Sequence, residues 1–265
     1  MKIAIIGAGN MGGAIACGLA KGSIIDAQDI ICTTHTEASL ERLRKKNPSF
    51  TLTNNNVSAA QEADIIILAV KPWYISSLID ELRPVLDLKK HIIISVAAGL
   101  DFKSLLEMIT KDADSQVSPV LFRVIPNTAI EVESSMTFVS ACNASEEQTA
   151  LVLNMFNELG NAMLIEEKLM AAGTALASCG IAFAFRYIRA AIEGGVELGF
   201  YPKQAQEIVA YTVKGAADLL IHKASNPEIE IDKVTTPGGI TIKGLNEMEH
   251  FGFTSAVIKG LKACK

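Results

Sequence analysis

The N-terminal segment constrains this chain most, because a short apolar run, KIAII, leads directly into a glycine-rich turn, GAGNMG. Gly7, Gly9 and Gly12 have the G-x-G-x-x-G spacing, and a helix pattern rich in small residues follows. The first glycine permits a tight turn, the second lets a pyrophosphate approach the backbone, and the third lets helix and strand pack closely. The segment therefore predicts a dinucleotide site at a helix N-terminus. A glycine turn that binds nothing is the alternative.

Short apolar runs alternate with helix patterns through the first half of the chain. Runs of Ile, Val and Leu without polar alternation are typical of strands covered on both faces of a parallel sheet. This order predicts an α/β fold, with an N-terminal Rossmann-type, doubly wound sheet over residues 1–165. The predicted strands are Lys2–Ile6, Ile30–Thr33, Ile65–Val70, Ile92–Val96, Leu121–Ile125 and Met136–Ser140. The predicted helices are Met11–Ala20, Glu37–Lys46, Ser76–Leu82, Phe102–Ile109 and Ser145–Leu159.

Strand signals stop near residue 166, which predicts an all-α C-terminal domain over residues 166–265. The predicted helices are Glu167–Leu198, one that begins at Pro202, Ile242–His250 and Thr254–Lys262. The stretch from Leu169 to Phe185 carries no charge and is apolar nearly all round, so it must be buried. It is slightly shorter than a typical membrane span. We expect it to pack against its counterpart in a second subunit, which gives a homodimer.

Composition excludes several classes of protein. Hydrophobic residues make up 49% of the 265 residues and charged residues 20%, which is enough apolar material for a sizeable core. A net charge of -5 argues against a nucleic-acid partner. The five cysteines are scattered and the four histidines lie far apart, so neither a disulfide framework nor a metal site is expected. The N-terminal apolar run is too short for a signal peptide, and a cytoplasmic location is expected.

The end of the second predicted strand indicates which nicotinamide cofactor binds. NAD sites usually carry a carboxylate there, which binds the ribose 2′-hydroxyl. This chain has ICTTHTEAS, with hydroxyl side chains and His35 in that position. These groups can receive a 2′-phosphate that a carboxylate would repel, and Arg42 and Arg44 on the next helix add positive potential. NADPH is therefore favoured and NADH remains possible. A polar loop without preference is the alternative.

Two further loops follow strands of the predicted sheet. They are AVKPW, residues 69–73, and SVAAGL, residues 95–100. Ligands of open α/β sheets bind outside the carboxyl ends of the strands. Pro72 stiffens the first loop, and the small residues of the second leave room for a nicotinamide ring. Ordinary strand-to-helix turns are the alternative.

Segments along the whole chain resemble the pyrroline-5-carboxylate reductase family. They are GAGNMGGAIACGL, AVKPW, ISVAAGL, RVIPNT and DKVTTPGGITIKGLNEME, of which TTPGGITI is the most specific. The resemblance implies an oxidoreductase that reduces the C=N bond of 1-pyrroline-5-carboxylate with NAD(P)H, giving L-proline in the last step of proline biosynthesis. It also implies a Rossmann domain, a helical dimerisation domain and a homo-oligomer built from dimers. The substrate would lie between the nicotinamide and C-terminal helices, with contributions across the dimer.

The resemblance also implies site residues. The cofactor contacts, together with the third glycine of the motif, are Gly7, Ala8, Gly9, Asn10, Met11, Gly12, Thr34, Asn56, Val70, Lys71, Pro72, Ala97 and Ala98. The substrate contacts are Thr236, Gly238, Gly239 and Thr241, with Gly180 giving access to the backbone. Ala129 and Ile181 stand where the family usually has proline. Without a proline at position 181, the long helix is expected to be straighter.

The TTPGG segment predicts how a substrate carboxylate is held. Pro237 fixes the turn, and Gly238 and Gly239 expose N–H groups just before a predicted helix, which makes an anion-binding concavity. A plain loop with a helix N-cap is the alternative. Thr241 is the candidate catalytic residue, as a hydrogen-bond donor or relay to the ring nitrogen. No strong general acid is evident, so catalysis would rest on proximity and orientation.

Two other functions stay open. One is another NADP-dependent imine or hydroxyacid reductase. Hydroxyacid enzymes use a lysine on the long interdomain helix as acid and base, whereas here Lys168 lies at the start of that helix and its middle has none. The other is a non-catalytic NADP-binding regulator that diverged from this family. Ala129 and Ile181 are its only support, and the intact TTPGGIT segment argues against it.

Overall fold

The computed structural model describes residues 1–111 and 118–264. The chain divides into two compact units, Met1–Ser178 (the sheet unit) and Cys179–Lys265 (the helical unit). This division lies C-terminal to the boundary predicted after residue 165, which stays a prediction.

The described part of the sheet unit contains one eight-stranded sheet. Its strands are β1 (Ile3–Ile6), β2 (Ile30–Thr33), β3 (Thr51–Thr53), β4 (Ile65–Leu68), β5 (Ile92–Ser95), β6 (Val120–Ile125), β7 (Ser135–Cys142) and β8 (Gly160–Leu164). Their order is β3-β2-β1-β4-β5-β6-β7-β8, and all neighbours are parallel except β6 and β7. The order of the first six strands is that of a doubly wound, dinucleotide-binding sheet. The predicted fold class is confirmed.

Helices cover both faces of the sheet. They are α1 (Asn10–Leu19), α2 (Glu37–Lys46), α3 (Asn56–Glu62), α4 (Ile75–Leu82), α5 (Phe102–Ile109), α6 (Glu146–Asn157) and α7 (Met170–Gly173). Alternate residues of β1 enter different cores. Ile3 and Ile5 pack with residues of α1 and α6, whereas Ala4 and Ile6 pack with residues of α3, α4 and α5. Because the strands are buried on both sides, they form continuous apolar runs, which is why the sequence predicts most of them.

Three elements of the sheet unit lie outside the sequence prediction. Two are the outermost strands, β3 and β8, which have the sequences TLT and GNAML and are largely exposed or half-buried. Edge strands do not need the apolar runs that reveal central strands. The third is α3, whose start is marked by Asn55, since the side chain of Asn55 accepts the Ser58 N–H at 2.9 Å.

The long helix predicted over Glu167–Leu198 is not a regular α-helix. It begins with a 3₁₀ turn, Glu167–Leu169, continues as α7, becomes a π-helix over Thr174–Cys179 and resumes as α8 (Gly180–Glu197). Pi-helical turns disturb the regular hydrogen-bond ladder and are frequent at functional sites. This region is therefore irregular even without a proline at position 181, and the expectation of a straighter helix stays a prediction.

The helical unit comprises α8, α9 (Pro202–Lys223), α10 (Pro227–Val234), α11 (Ile240–His250) and α12 (Phe253–Ala263). Of these, α10 was not predicted. Helices α8 and α9 pack closely, because a Cβ placed on Gly195 would lie 3.2 Å from the Cβ of Ala205. Ala205 is the only buried residue among those described in this unit. The unit therefore has almost no core of its own.

One helix of the described chain, Glu167–Glu197, is long and apolar enough to cross a membrane by length and hydropathy alone. Core helices of soluble proteins meet the same criterion, so the feature is weak evidence for a membrane span.

Candidate functional site

A crevice of about 670 Å³ lies at the carboxyl ends of β1, β2, β4 and β5. Backbone hydrogen bonds continue from the strands into the loops that line it. The Ala8 N–H donates to the Thr33 carbonyl at 2.7 Å, and the Ala69 N–H donates to the Ile6 carbonyl at 2.8 Å. The loops are therefore held to the sheet by backbone hydrogen bonds.

The glycine turn after β1 has the shape of a pyrophosphate cradle. Gly7 has a φ of 90°, and a Cβ there would lie 2.6 Å from Cγ1 of Val70. A Cβ on Gly12 would lie 2.7 Å from the Gly7 carbonyl oxygen, so α1 can seat against β1 only without a side chain. A Cβ on Gly9 would meet no protein atom closer than 4.0 Å. The space beside Gly9 is therefore open to a bound group, which fits the pyrophosphate of a dinucleotide.

The N-terminus of α1 has no capping side chain, since Gly9 is its N-cap residue. By contrast, α2, α3, α5 and α6 are each capped by a side chain: those of Thr36, Asn55, Asp101 and Ser145. The first amides of a helix require an acceptor, and an anion is a favoured one. Helices α4 and α7 also lack a capping side chain, but each continues directly from a 3₁₀ turn, whereas α1 starts at the glycine turn that borders the crevice.

Most of the predicted cofactor residues line this crevice. They are Gly7, Gly9, Asn10, Met11, Thr34, Val70, Lys71, Pro72, Ala97 and Ala98. Ala8 and Gly12 are buried in the turn and in the first part of α1. Asn56 lies outside the lining. Its side chain accepts a hydrogen bond from Oγ1 of Thr33 at 2.7 Å and donates to Glu81 at 3.2 Å. Asn56 therefore holds Thr33, the last residue of β2, without lining the crevice.

Hydroxyl groups line the crevice beyond β2. Thr34 Oγ1 donates to the Thr36 carbonyl at 3.1 Å, and Thr36 Oγ1 donates to Ser39 Oγ at 2.9 Å. The Ser39 hydroxyl thus keeps its own hydrogen for another acceptor. His35 is exposed in the same lining. Donors in this position suit a phosphate better than they suit a bare ribose hydroxyl.

The arginines of α2 do not reach this crevice. Arg44 pairs with Glu41 at 2.5 Å on the exposed side of the helix. Arg42 lines a second groove of about 170 Å³, together with Lys46, and this groove shares Gly9, Asn10 and Ala14 with the crevice. The expectation that both arginines add positive potential beside the 2′-position stays a prediction.

A further part of the lining was missed at the sequence level. Thr128, Ile130 and Glu131 belong to a 3₁₀ turn after β6 and line the crevice. The rule that ligands bind at the carboxyl ends of strands could have found them. The turn also accounts for one departure from the family pattern. The Ala129 N–H donates to Oδ1 of Asn127 at 3.0 Å, a bond that proline cannot make.

In the helical unit, TTPGG forms a tight turn that leads into α11. The Gly239 N–H donates to the Thr236 carbonyl at 2.9 Å, and Gly238 has a φ of 71°. Pro237 followed by a glycine with positive φ is the residue choice of a type II turn. A Cβ on Gly239 would lie 2.6 Å from Oγ1 of Thr236 and 3.0 Å from its carbonyl oxygen. Only glycine fits there without a shift of the turn.

The N-terminus of α11 also lacks a capping side chain, with Gly239 as its N-cap residue. The neighbouring helix α12 begins after a glycine as well, but Glu249 accepts the N–H of Thr254 there at 3.3 Å and its hydroxyl at 2.8 Å. Thr241 lies exposed in the first turn of α11. Gly180, the remaining predicted substrate contact, is the first residue of α8.

Comparison with known proteins matches two parts of the chain to two families. Residues 2–99 match the family described as NADP oxidoreductase, coenzyme F420-dependent. Residues 167–265 match the family described as pyrroline-5-carboxylate reductase dimerisation. Pyrroline-5-carboxylate reductase 2 of Dictyostelium discoideum is 38% identical over 273 residues, which cover 98% of this chain and 89% of the relative. The chain belongs to the pyrroline-5-carboxylate reductase family.

Other relatives agree with this assignment. The pyrroline-5-carboxylate reductase of Methanosarcina acetivorans is 34% identical over 100% of this chain and 97% of its own length. Pyrroline-5-carboxylate reductase 1 of Dictyostelium discoideum is 38% identical, but the chain spans only 48% of that longer relative.

Solved structures of the family are also similar. The Plasmodium falciparum enzyme, crystallised with NADP bound, has a TM-score of 0.87 at 28% identity, covering 100% of this chain and 95% of that one. The Coxiella burnetii enzyme has a TM-score of 0.88 at 27% identity, covering 99% and 95%. As a member of this family, the chain is an oxidoreductase that uses NAD(P)H.

Proposed function

We propose that this chain reduces 1-pyrroline-5-carboxylate to L-proline with NADPH, the last step of proline biosynthesis. Family membership supports the reaction. One observation supports two separate anion sites, one for the cofactor and one for the substrate. Helices α1 and α11 both begin at a glycine N-cap without a capping side chain. The α1 start holds the cofactor's pyrophosphate, and the α11 start holds the substrate's carboxylate.

The cofactor site is the crevice of the sheet unit. NADPH bound there supplies the hydride that reduces the imine carbon. Gly9 leaves the backbone open to the pyrophosphate. The loops at residues 69–73 and 95–100 line the part of the crevice that binds the nicotinamide ring. The Ser39 hydroxyl and the exposed His35 receive the 2′-phosphate, which favours NADPH over NADH.

The carboxylate of the substrate binds at the TTPGG turn. A helix start presents N–H groups and a partial positive charge, which together hold an anion without an arginine. Thr236 and Thr241 place hydroxyl groups on either side of Gly238 and Gly239 in the sequence, and both are exposed. Gly180, at the start of α8, is the remaining proposed contact.

Thr241 is the proposed hydrogen-bond donor to the ring nitrogen. No titratable side chain belongs to the TTPGGIT segment, so a tuned general acid is not part of this proposal. A cyclic imine is partly protonated near neutral pH. The protein therefore has to bind and orient the cation rather than deliver its proton.

The chain works as a homo-oligomer built from dimers in this proposal. Only 17% of the most apolar stretch of the helix Glu167–Glu197 is buried within one chain. An apolar helix surface of this kind is stable in water only when another surface covers it. A second copy of the helical unit is the occupant that the dimerisation-family match favours. Such burial also supports a cytoplasmic rather than a membrane-bound protein.

The reaction is tested with purified protein, 1-pyrroline-5-carboxylate and either NADPH or NADH. We expect the nicotinamide absorbance to fall and proline to form in equal amounts, with NADPH the better donor. If proline does not form while NADPH still binds, the chain is a cofactor-binding regulator and the proposal is wrong.

The role of Thr241 is tested by the pair Thr241→Ala and Thr241→Ser. Loss of the hydroxyl should lower turnover about tenfold, because one donor to the reacting nitrogen is removed. Serine keeps the donor and should restore most of the rate, and NADPH affinity should be unchanged in both. Full activity in the alanine variant would exclude this role.

A further inference from the structure

Two helices of the helical unit run antiparallel, and their contacts define a register. The rings of Tyr187 on α8 and Phe253 on α12 have centroids 6.5 Å apart. A Cβ on Gly260 would lie 3.8 Å from the ring of Phe183, one helical turn earlier on α8. As the chain advances along α12, its partners therefore move backwards along α8.

Cys179 and Cys264 lie one turn further along this register. Residues four apart share a helix face, so position 179 continues the face of Phe183 and position 264 continues that of Gly260. The neighbouring Cys264 thiol, followed by burial, raises the pKa of Cys179. Cys264 is exposed and Cys179 is half-buried.

The two sulfurs differ from that of Cys32 in their exposure to solvent. Burial inside β2 raises the pKa of Cys32 to about 12, so this thiol stays protonated and inert. Cys264, by contrast, can be reached from solvent at the C-terminal end of α12. An attacking thiol on the surface with a second thiol beside it is the usual arrangement of a reversible redox pair.

We propose that Cys179 and Cys264 form a reversible intrachain disulfide that responds to low-molecular-weight disulfides. The Cys264 thiolate attacks such a disulfide, RSSR, and one thiolate RS⁻ leaves. The Cys179 thiolate then attacks the Cys264 sulfur in the mixed disulfide and the second RS⁻ leaves. The two protons of the protein thiols end on the leaving groups. The balance is two protein thiols and one RSSR in, one protein disulfide and two RSH out.

The disulfide would act on the reaction through the π-helical segment. Cys179 is the last residue of that segment and directly precedes Gly180. A covalent link to the end of α12 fixes this irregular part of the helix, whereas the dithiol leaves it free to adjust when substrate binds. This consequence rests on the proposed function, because Gly180 is a proposed substrate contact. Formation of the disulfide does not.

The test uses the full chain, oxidised glutathione as the probe and peptide mapping under non-reducing conditions. We expect one peptide pair joined through Cys179 and Cys264, removed again by reduced glutathione and absent from Cys264→Ser. Turnover of 1-pyrroline-5-carboxylate should fall about fivefold on oxidation and recover on reduction. Cys17→Ser, a change at another half-buried cysteine, should still show the crosslink and the loss.

Three results would overturn the inference: no 179–264 crosslink, a crosslink between subunits, or full turnover in the crosslinked protein. Failure of the proposed function is a distinct result. In that case the reduced protein already fails to make proline, while the peptide map still reports whether the disulfide forms.

Discussion

The two units differ in how they bury apolar surface. In the sheet unit, strands of Ile, Val and Leu are covered on both faces by helices of the same chain. In the helical unit, Ala205 is the only buried residue among those described, while Leu198, Ile240 and Phe251 are 84%, 87% and 90% exposed. The sheet unit is complete within one chain. The helical unit has helices but almost no core of its own, and apolar helix surfaces of this kind are stable in water only when another surface covers them.

The largest effect should follow from filling the space at Gly12. Gly12→Val places a side chain against the Gly7 carbonyl oxygen and the Cβ of Ala69. Overpacking of this kind costs about 3 kcal/mol, so we expect lower thermal stability and roughly 100-fold weaker NADPH binding. Fluorescence titration with NADPH and a thermal melt measure both.

Gly215→Ala is the matched control for this change. Gly215 lies within α9, and a Cβ there meets no atom within 4 Å. Alanine should therefore leave NADPH binding unchanged and raise stability slightly, since glycine weakens a helix interior. If both variants bind NADPH equally well, the glycine turn is not the cofactor cradle.

The second-largest effect should be on the oligomeric state, which a charge on the helical unit should change and a charge on the sheet unit should not. Phe185 is 60% exposed on α8, and a charge at a buried apolar interface costs about 2 kcal/mol or more. Phe185→Arg should therefore shift the protein towards monomer in sedimentation. Met163→Arg, a change at an exposed apolar residue of β8 in the sheet unit, should leave the assembly intact. An unchanged dimer in the first variant, or a monomeric wild type, would contradict the idea that α8 meets a second copy.

The smallest effect is a pH dependence of the sheet unit. Burial, followed by the charge of Lys90, holds the pKa of His91 below its ordinary value of 6.5, against the opposing charges of Asp87 and Asp64. Nδ1 of His91 accepts the Asp87 N–H at 3.1 Å, so the neutral ring is the form that fits. Its contribution to stability is complete above about pH 6.5 and is lost as the pH falls through the lowered pKa.

His91→Asn tests this dependence, because asparagine keeps an acceptor but cannot be protonated. Melting temperatures measured from about pH 7.5 to about pH 5 should fall less steeply in the variant than in the wild type. Parallel curves for the two proteins would show that His91 does not contribute.

The same difference between units explains what the sequence could predict. The apolar runs of β1, β4 and β5 follow from burial on both faces, and their carboxyl ends locate most of the crevice. The edge strands β3 and β8 were not predicted, because an edge strand needs no apolar run. The contact of Asn56 with the cofactor stays a prediction; its side chain accepts a hydrogen bond from Thr33, which the sequence could not show because it does not reveal which way a side chain faces.

In the helical unit, sequence patterns found the helices but not the details that matter for the site. A π-helical segment has no sequence signature comparable to a proline, so the irregular run before Gly180 was not predicted. The TTPGG turn was predicted because proline and glycine report backbone geometry directly. The pairing of Cys179 with Cys264 depends on the register of α8 against α12, which no local pattern encodes.

The central claim is that the two glycine turns have separate tasks, one for cofactor and one for substrate. Gly239→Ala in the full chain tests it most directly, because the added Cβ would press on Thr236 and disturb the start of α11 alone. Measured together, NADPH affinity should stay at the wild-type value while the KM for 1-pyrroline-5-carboxylate rises at least about tenfold. An unchanged KM, or a loss of NADPH binding along with it, would contradict the account.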